Sequence, residues 1–125
     1  MTLAELIEFV RSEYGAEPEY LWESTPDAGV FRHKSNRKWF AVFMQVRRNR
    51  LGLDGDDTVD IADLKCDPLM LGSVLMQEGV LPGYHMNKNN WITVLLDGSV
   101  SAETIVPLLE MSYELTRPKP KKRGV

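Results

Sequence analysis

Four side chains that can bind an anion or a nucleobase are grouped in one short, turn-rich stretch, LPGYHMNKNNWITVLLDG (residues 81–98). His85 and Lys88 offer charge-assisted hydrogen-bond donors. Tyr84 offers an aromatic face for stacking, and Asn87 offers an amide that can read the edge of a base. Binding side chains commonly converge in turns of this kind. The spacing therefore predicts a binding turn at residues 84–88.

The same turn also has a purely structural interpretation. Asparagines such as Asn87 and Asn89 tolerate left-handed backbone, and a histidine can hydrogen-bond a neighbouring carbonyl group. Tyr84 and Trp91 can simply pack against the protein. Both interpretations stay open on the sequence alone.

Positive charge is concentrated in residues 31–50, which hold seven basic side chains and no acidic one, in a chain of net charge −3. The aromatic residues Trp39 and Phe43 are interleaved with these cations, a pattern that favours contact with nucleic-acid phosphates. The alternative is a solvated face whose cations pair with the acidic segments 1–30 and 51–67. The seven basic residues are Arg32, Lys34, Arg37, Lys38, Arg47, Arg48 and Arg50.

Residues for catalysis or metal binding are sparse. Two histidines, His33 and His85, and the single cysteine Cys66 form neither a nucleophile–base pair with an orienting group nor a complete zinc site. The acidic run LGLDGDDTVD lacks the glycine and glutamate of a calcium loop. Acids on the first helix, among them Glu5 and Glu8, are explained by the helix dipole better than by metal binding. We therefore expect no cofactor, and a binding protein in preference to an enzyme.

Composition predicts one domain over residues 1–116, followed by a disordered basic tail at residues 117–125, RPKPKKRGV. No run of about eighteen apolar residues exists, so we expect no membrane partner. The lone Cys66 permits no intramolecular disulfide and predicts a small buried apolar side chain. These features together predict a cytoplasmic protein, and they leave its oligomeric state open.

Hydrophobic periodicity predicts an α+β fold, with helices on one face of a largely antiparallel sheet, in the order α-β-β-β-β-α-β-β-α. Thr2 and Glu5 form a capping box, and Gly15 ends the first helix. Pro107 predicts a kink or a late start of the last helix. The predicted elements are a helix at 3–14, strands at 19–23, 29–34, 38–47 and 58–65, a helix after Asp67, extended segments at 81–85 and 91–96, and a helix from about 101.

Three short motifs, LKCDP, PGYHMNKNNWITV and SYEL, resemble the MmcQ/YjbR family of small bacterial proteins in order and spacing. The resemblance covers most of the chain. It implies a fold similar to that of CyaY, the bacterial frataxin, and a role in DNA binding through a double-wing arrangement. It transfers no catalytic role to any matched residue.

Two classes of function follow. In the first, the basic hairpin lies along DNA phosphates while the 84–88 turn approaches a groove. In the second, a shallow pocket around Tyr84, His85, Lys88 and Tyr113 binds a small anionic metabolite, or the chain is an interaction module without catalysis. The DNA-binding proposal requires the basic hairpin to lie beside the turn, unneutralised. Its predicted binding residues are Arg32, Lys34, Arg37, Lys38, Arg47, Arg48, Tyr84, His85, Asn87 and Lys88.

Overall fold

An antiparallel sheet of five strands and three α-helices make up residues 1–119, the part of the chain that this computed structural model describes. The strands are ordered β1-β2-β3-β5-β4 across the sheet. The predicted α+β class with an antiparallel sheet is confirmed. Along the chain the elements are α1 (Leu3–Tyr14), β1 (Gly29–Arg32), β2 (Trp39–Arg47), a 3-10 turn (Arg48–Leu51), β3 (Thr58–Lys65), α2 (Leu71–Val74), β4 (Val80–Pro82), β5 (Trp91–Leu95) and α3 (Ala102–Thr116).

Residues at its two ends determine where helix α1 begins and ends. The Thr2 hydroxyl accepts the Glu5 N–H, and the Glu5 carboxylate accepts the Thr2 N–H, which satisfies donors that a helix start leaves unpaired. Gly15 adopts a left-handed conformation (φ 63°) and ends the helix. Leu6 and Val10 are fully buried in the core. The predicted boundaries of this helix are confirmed.

Aromatic side chains fill the core between the sheet and the helices. Phe31, Phe40 and Phe43 are almost completely buried, and the ring of Phe40 lies 5.8 Å from Tyr14 and 5.0 Å from Tyr113. Phe43 also lies across Gly29 on the neighbouring strand, where a Cβ atom would sit only 2.4 Å from the ring. Only glycine fits at that position.

The buried Ser112 hydroxyl of helix α3 hydrogen-bonds two neighbouring strands of the sheet. The register between β2 and β3 ends at the pair Ala41 and Leu64. Just beyond it, the Ser112 hydroxyl donates to the Phe40 carbonyl (2.5 Å) and accepts the Lys65 N–H (2.8 Å). Ser112 is completely buried. It therefore satisfies two backbone groups of neighbouring strands that would otherwise be unpaired.

Three predicted elements differ from the structure. The strand expected at 19–23 is reduced to an isolated bridge between Glu19 and Val30, because residues 22–28 leave the sheet edge to form the wall of a cavity. The helix expected after Asp67 is only the single turn α2; residues 75–79 continue as turns and a bend, and Gly79 has a left-handed backbone (φ 81°). Helix α3 is continuous through Pro107, so the expected late start is wrong, and the proline removes only one N–H donor from the helix.

Within residues 1–119, no helix combines the length and the apolar composition that crossing a membrane requires. Residues 120–125, which form most of the predicted basic tail, lie outside the described residues. The likeness to frataxin stays a prediction.

Candidate ligand-binding site

A cavity of about 620 Å³ opens at the surface of the sheet, and none of its lining residues belongs to α1 or α3. Residues 22–28 form one wall. The last residues of β2 and the 3-10 turn form a second wall, and Tyr84 and His85 form a third. The cavity therefore lies where one end of β2 meets the turn that follows β4.

The cavity combines apolar surface with cationic groups. Trp22 retains 36% of its surface exposed, and Met44 is half-buried beneath the opening. Arg47 and Arg50 are exposed and have no carboxylate within 4.0 Å among residues 1–119. Asp27 is the single acidic residue of the lining. The site thus offers an aromatic surface beside two unpaired guanidinium groups.

The 84–88 turn presents two of its predicted binding residues to this cavity. The rings of Tyr84 and His85 lie 4.1 Å apart with a 45° tilt, and His85 is exposed. His85 adopts a left-handed backbone conformation (φ 59°), which had been expected at asparagines such as Asn87 and Asn89. Tyr84 and His85 both line the cavity, and their role in ligand binding stays a prediction.

The other two predicted residues of the turn hold the turn together. The Asn87 side-chain oxygen accepts the Asn89 N–H at 3.0 Å. The Lys88 ammonium donates to the Gly83 carbonyl at 3.0 Å. Neither Asn87 nor Lys88 lines the cavity, so both fit the structural interpretation of this turn.

Behind the turn lies a buried carboxyl group, Asp63, that the sequence analysis did not select. The Tyr84 N–H donates to the Thr93 hydroxyl (2.8 Å), and that hydroxyl donates to Asp63 Oδ1. Asp63 is completely buried, and its Oδ2 atom has no hydrogen-bond partner within residues 1–119. Removal from water raises the pKa of Asp63 to about 7, although the Thr93 hydroxyl, the Tyr84 backbone N–H and the Lys88 charge act to lower it. The signal in the sequence was the position of Asp63 between Ala62 and Leu64 in the predicted strand TVDIADLK.

The cations of the basic hairpin fall into three groups. Arg32 makes a two-pronged ion pair with Glu19 (2.7 and 2.9 Å), and Arg48 pairs with Asp97 (3.0 Å) and Asp57 (3.5 Å). Exposed cations at the β1–β2 turn are separated from Arg47 by the whole of β2, roughly 27 Å at the usual strand rise. They are Lys34, Arg37 and Lys38. Only Arg47 and Arg50 lie beside Tyr84 and His85, so the seven cations do not form one continuous surface.

Tyr113, which the sequence analysis grouped with Tyr84, lies in a second cavity of about 480 Å³ at the ends of α1 and α3. Its ring stacks on that of Tyr14 at 4.1 Å. His33 also lines this cavity and hydrogen-bonds the Thr116 hydroxyl at 2.9 Å. Burial lowers the pKa of His33. The predicted grouping of Tyr113 with the 84–88 turn is therefore wrong.

The structure places the remaining candidates for chemistry in structural roles. Cys66 is completely buried, and burial raises the pKa of its thiol, as expected for a small apolar side chain of the core. Glu5 caps α1, and Glu8 pairs with Arg11 at 3.1 Å. No three histidine, cysteine or acidic side chains of residues 1–119 are arranged to hold a metal ion.

Comparison with known proteins agrees with the fold and with the sequence motifs. The chain is 38% identical to protein YyaQ of Bacillus subtilis over 117 residues, covering 94% of this chain and 99% of YyaQ. A Pseudomonas syringae protein of known crystal structure is 43% identical, with a TM-score of 0.91 over 94% of this chain and all of that one. Escherichia coli YjbR is 30% identical over 118 residues, covering 91% of this chain and 86% of YjbR. The YjbR family profile matches residues 11–115. The chain therefore belongs to the YjbR family, which confirms the resemblance seen in its motifs.

Proposed function

We propose that this protein binds a small anionic molecule with an aromatic or apolar body in the cavity between β2 and the Tyr84 turn. The observation that carries the proposal is the position of Arg47 and Arg50, which have no carboxylate partner within residues 1–119, beside the exposed ring of Trp22 and the partly buried ring of Tyr84. Arginine binds carboxylate, sulfonate and phosphate groups with two parallel hydrogen bonds. The aromatic walls provide the apolar contact that such a ligand needs.

The size and composition of the cavity agree with this class of ligand. Its volume of about 620 Å³ falls within the range of roughly 300–1,000 Å³ that is usual for small-molecule sites. Such sites are mostly apolar, with a few polar groups that fix the orientation of the ligand. Here the ring of Tyr84, the side chain of Met44 and the indole of Trp22 are apolar, and the arginines lie together at the β2 end. The ligand would therefore bind with its anionic group toward β2.

A titration with naphthalene-2-sulfonate tests the proposal, because this probe joins an aromatic body to a charge that is constant with pH. We expect measurable binding by calorimetry, and at least about tenfold weaker binding to the double variant Arg47→Ala, Arg50→Ala, since each charged hydrogen bond contributes roughly 1.5–3 kcal/mol. The matched control is Lys34→Ala, Arg37→Ala, which removes two exposed cations far from the cavity and should leave affinity unchanged.

The neutral analogue naphthalene-2-methanol completes the experiment. It should bind more weakly than the sulfonate to the wild-type protein and equally to both double variants. Sulfonate binding that is unaffected by the arginine substitutions, or weakened equally by the control substitutions, would contradict a cavity site.

DNA binding is the second candidate, and it is supported by a different surface. The exposed residues Lys34, Arg37 and Lys38 lie at the tip of the β1–β2 hairpin, where a wing could follow a phosphate backbone. Arg48, by contrast, is engaged by two carboxylates and is a poor phosphate ligand.

A duplex oligonucleotide titrated at several salt concentrations tests this second candidate. DNA binding would weaken steeply with salt, and charge reversal at the three hairpin cations would flatten the salt dependence. Charge reversal at Arg47 and Arg50 should matter less. If neither the duplex nor the sulfonate binds, the chain fits an interaction module better than either proposal.

A further inference from the structure

We infer that Asp63 is a positioning residue for the cavity: it holds the Tyr84 backbone through the Thr93 hydroxyl, and the gain or loss of its proton changes how tightly a ligand is bound. The inference concerns the regulation of the proposed site and rests on the proposed function for its ligand. The hydrogen-bond chain itself does not depend on that proposal.

When Asp63 is ionised, the direction of each hydrogen bond is fixed by the groups in the chain. Tyr84 contributes a backbone N–H, which can only donate, so the Thr93 oxygen must accept it. The single Thr93 hydroxyl proton is then free to donate to Asp63 Oδ1. Asp63 and Thr93 are directly opposite one another on β3 and β5, and both are completely buried. The position of Tyr84 is therefore tied to a carboxyl group in the interior.

The surroundings of Asp63 make this contact sensitive to its charge. Its partner on the other neighbouring strand, Val42, is apolar, and the charged group that faces it is Lys88 from the 84–88 turn. Lys88 is itself attached to the turn through the Gly83 carbonyl. An ionised Asp63 attracts Lys88 and strengthens the Thr93 hydrogen bond. A protonated Asp63 does neither, so the turn is held less firmly.

Because Asp63 is buried, its carboxyl group gains or loses its proton near neutral pH. The pKa of Asp63 is raised to about 7 by its removal from water. Tyr84 and His85 are consecutive residues, and both line the cavity. A change in the charge of Asp63 therefore changes how firmly Tyr84 is held in the cavity wall. We expect the ionised form to favour binding.

The first test follows the Tyr84 amide in ¹H–¹⁵N NMR spectra between pH 5 and pH 9, without ligand. In the wild-type protein the Tyr84 resonance should shift with a midpoint between pH 6 and pH 8. The shift should disappear in Asp63→Asn and in Thr93→Val, and return in Thr93→Ser, which restores the hydroxyl. Histidine also changes charge in this range, and the ring of His85 lies 4.1 Å from that of Tyr84. All of these variants are therefore compared in a His85→Gln background, which should itself retain the shift.

The second test measures the affinity for naphthalene-2-sulfonate at pH 6 and pH 8. A protonated His85 in the cavity wall would itself attract the sulfonate, so the comparison is made without this imidazole. Affinity should rise at least about threefold with pH in His85→Gln and should be constant in the double variant His85→Gln, Asp63→Asn. A Tyr84 resonance that does not titrate in His85→Gln, or an affinity that changes equally with pH in His85→Gln and in His85→Gln, Asp63→Asn, would overturn the inference. If the probe binds at neither pH, the proposed function fails, and the Tyr84 titration alone decides whether Asp63 positions the turn.

Discussion

Replacing Asp63 with asparagine should change how the stability of the protein depends on pH. Asparagine has nearly the same shape and can still accept the Thr93 hydroxyl hydrogen bond, but it cannot ionise. In the wild-type protein, the pKa of Asp63 is raised from 3.8 to about 7 in the folded state. Between these two values the folded protein binds more protons than the unfolded chain. Its free energy of unfolding must therefore fall as pH rises toward 7.

The size of the effect follows from the same shift. One pKa unit corresponds to about 1.4 kcal/mol, so the full shift corresponds to about 4 kcal/mol. About two of these units lie between pH 5 and the folded-state pKa. The stability difference between Asp63→Asn and the wild-type protein should consequently move in favour of the variant by up to about 3 kcal/mol from pH 5 to pH 8.

Urea denaturation of both proteins at pH 5 and pH 8, monitored by far-ultraviolet circular dichroism, measures this difference. Comparing the two proteins cancels the contribution of every other titrating group. Asp60→Asn is the matched control, because Asp60 lies on the same strand and is only partly buried. A difference between Asp63→Asn and the wild-type protein that is the same at both pH values, or that moves toward the wild-type protein, would refute the reasoning.

Two further substitutions test how the fold is held together. Ser112→Ala should lower the free energy of unfolding by about 2 kcal/mol in urea denaturation, because two buried backbone groups lose their partner. The exposed control Ser73→Ala should change it by less than about 0.5 kcal/mol. Gly79→Ala should cost more than about 1 kcal/mol, because φ is 81° and the new Cβ would lie 2.1 Å from Val100. A Cβ atom at Gly72, within α2, would have no heavy atom within 4 Å, so Gly72→Ala should raise the thermal midpoint slightly. If Gly72→Ala lowered stability as much as Gly79→Ala, the steric argument would be contradicted.

Features that depend on neighbouring residues could be predicted from the sequence. The helix α1 follows from its capping box and from Gly15, both of which act over a few residues. Strands β2 and β3 follow from runs of apolar residues long enough to cross a sheet. The turn at Tyr84 and His85 follows from the Pro-Gly pair that precedes it. Local chemistry was sufficient in each of these cases.

Features that depend on pairing between distant residues could not be predicted. The ion pairs of Arg32 and Arg48 join them to acids 13 and 49 residues away, so the charge pattern alone could not show which cations stay unpaired. Tyr113 was assigned to the wrong cavity because its neighbours depend on how α3 packs against the rest of the protein. In the folded chain its ring stacks on that of Tyr14. Asp63 could have been noticed as an acid inside an apolar strand, but its contact with Thr93 exists only in the folded sheet.

Binding of a small anion in the cavity beside Arg47 and Tyr84 is the central proposal for this protein. The most direct measurement is a map of ¹H–¹⁵N amide shifts during titration with naphthalene-2-sulfonate. If the probe binds in the cavity, the largest shifts should occur in and next to its lining residues, which are 22, 24–28, 44–47, 50, 58 and 84–85. Shifts confined to the β1–β2 turn at residues 33–38, or spread evenly over the surface, would contradict it.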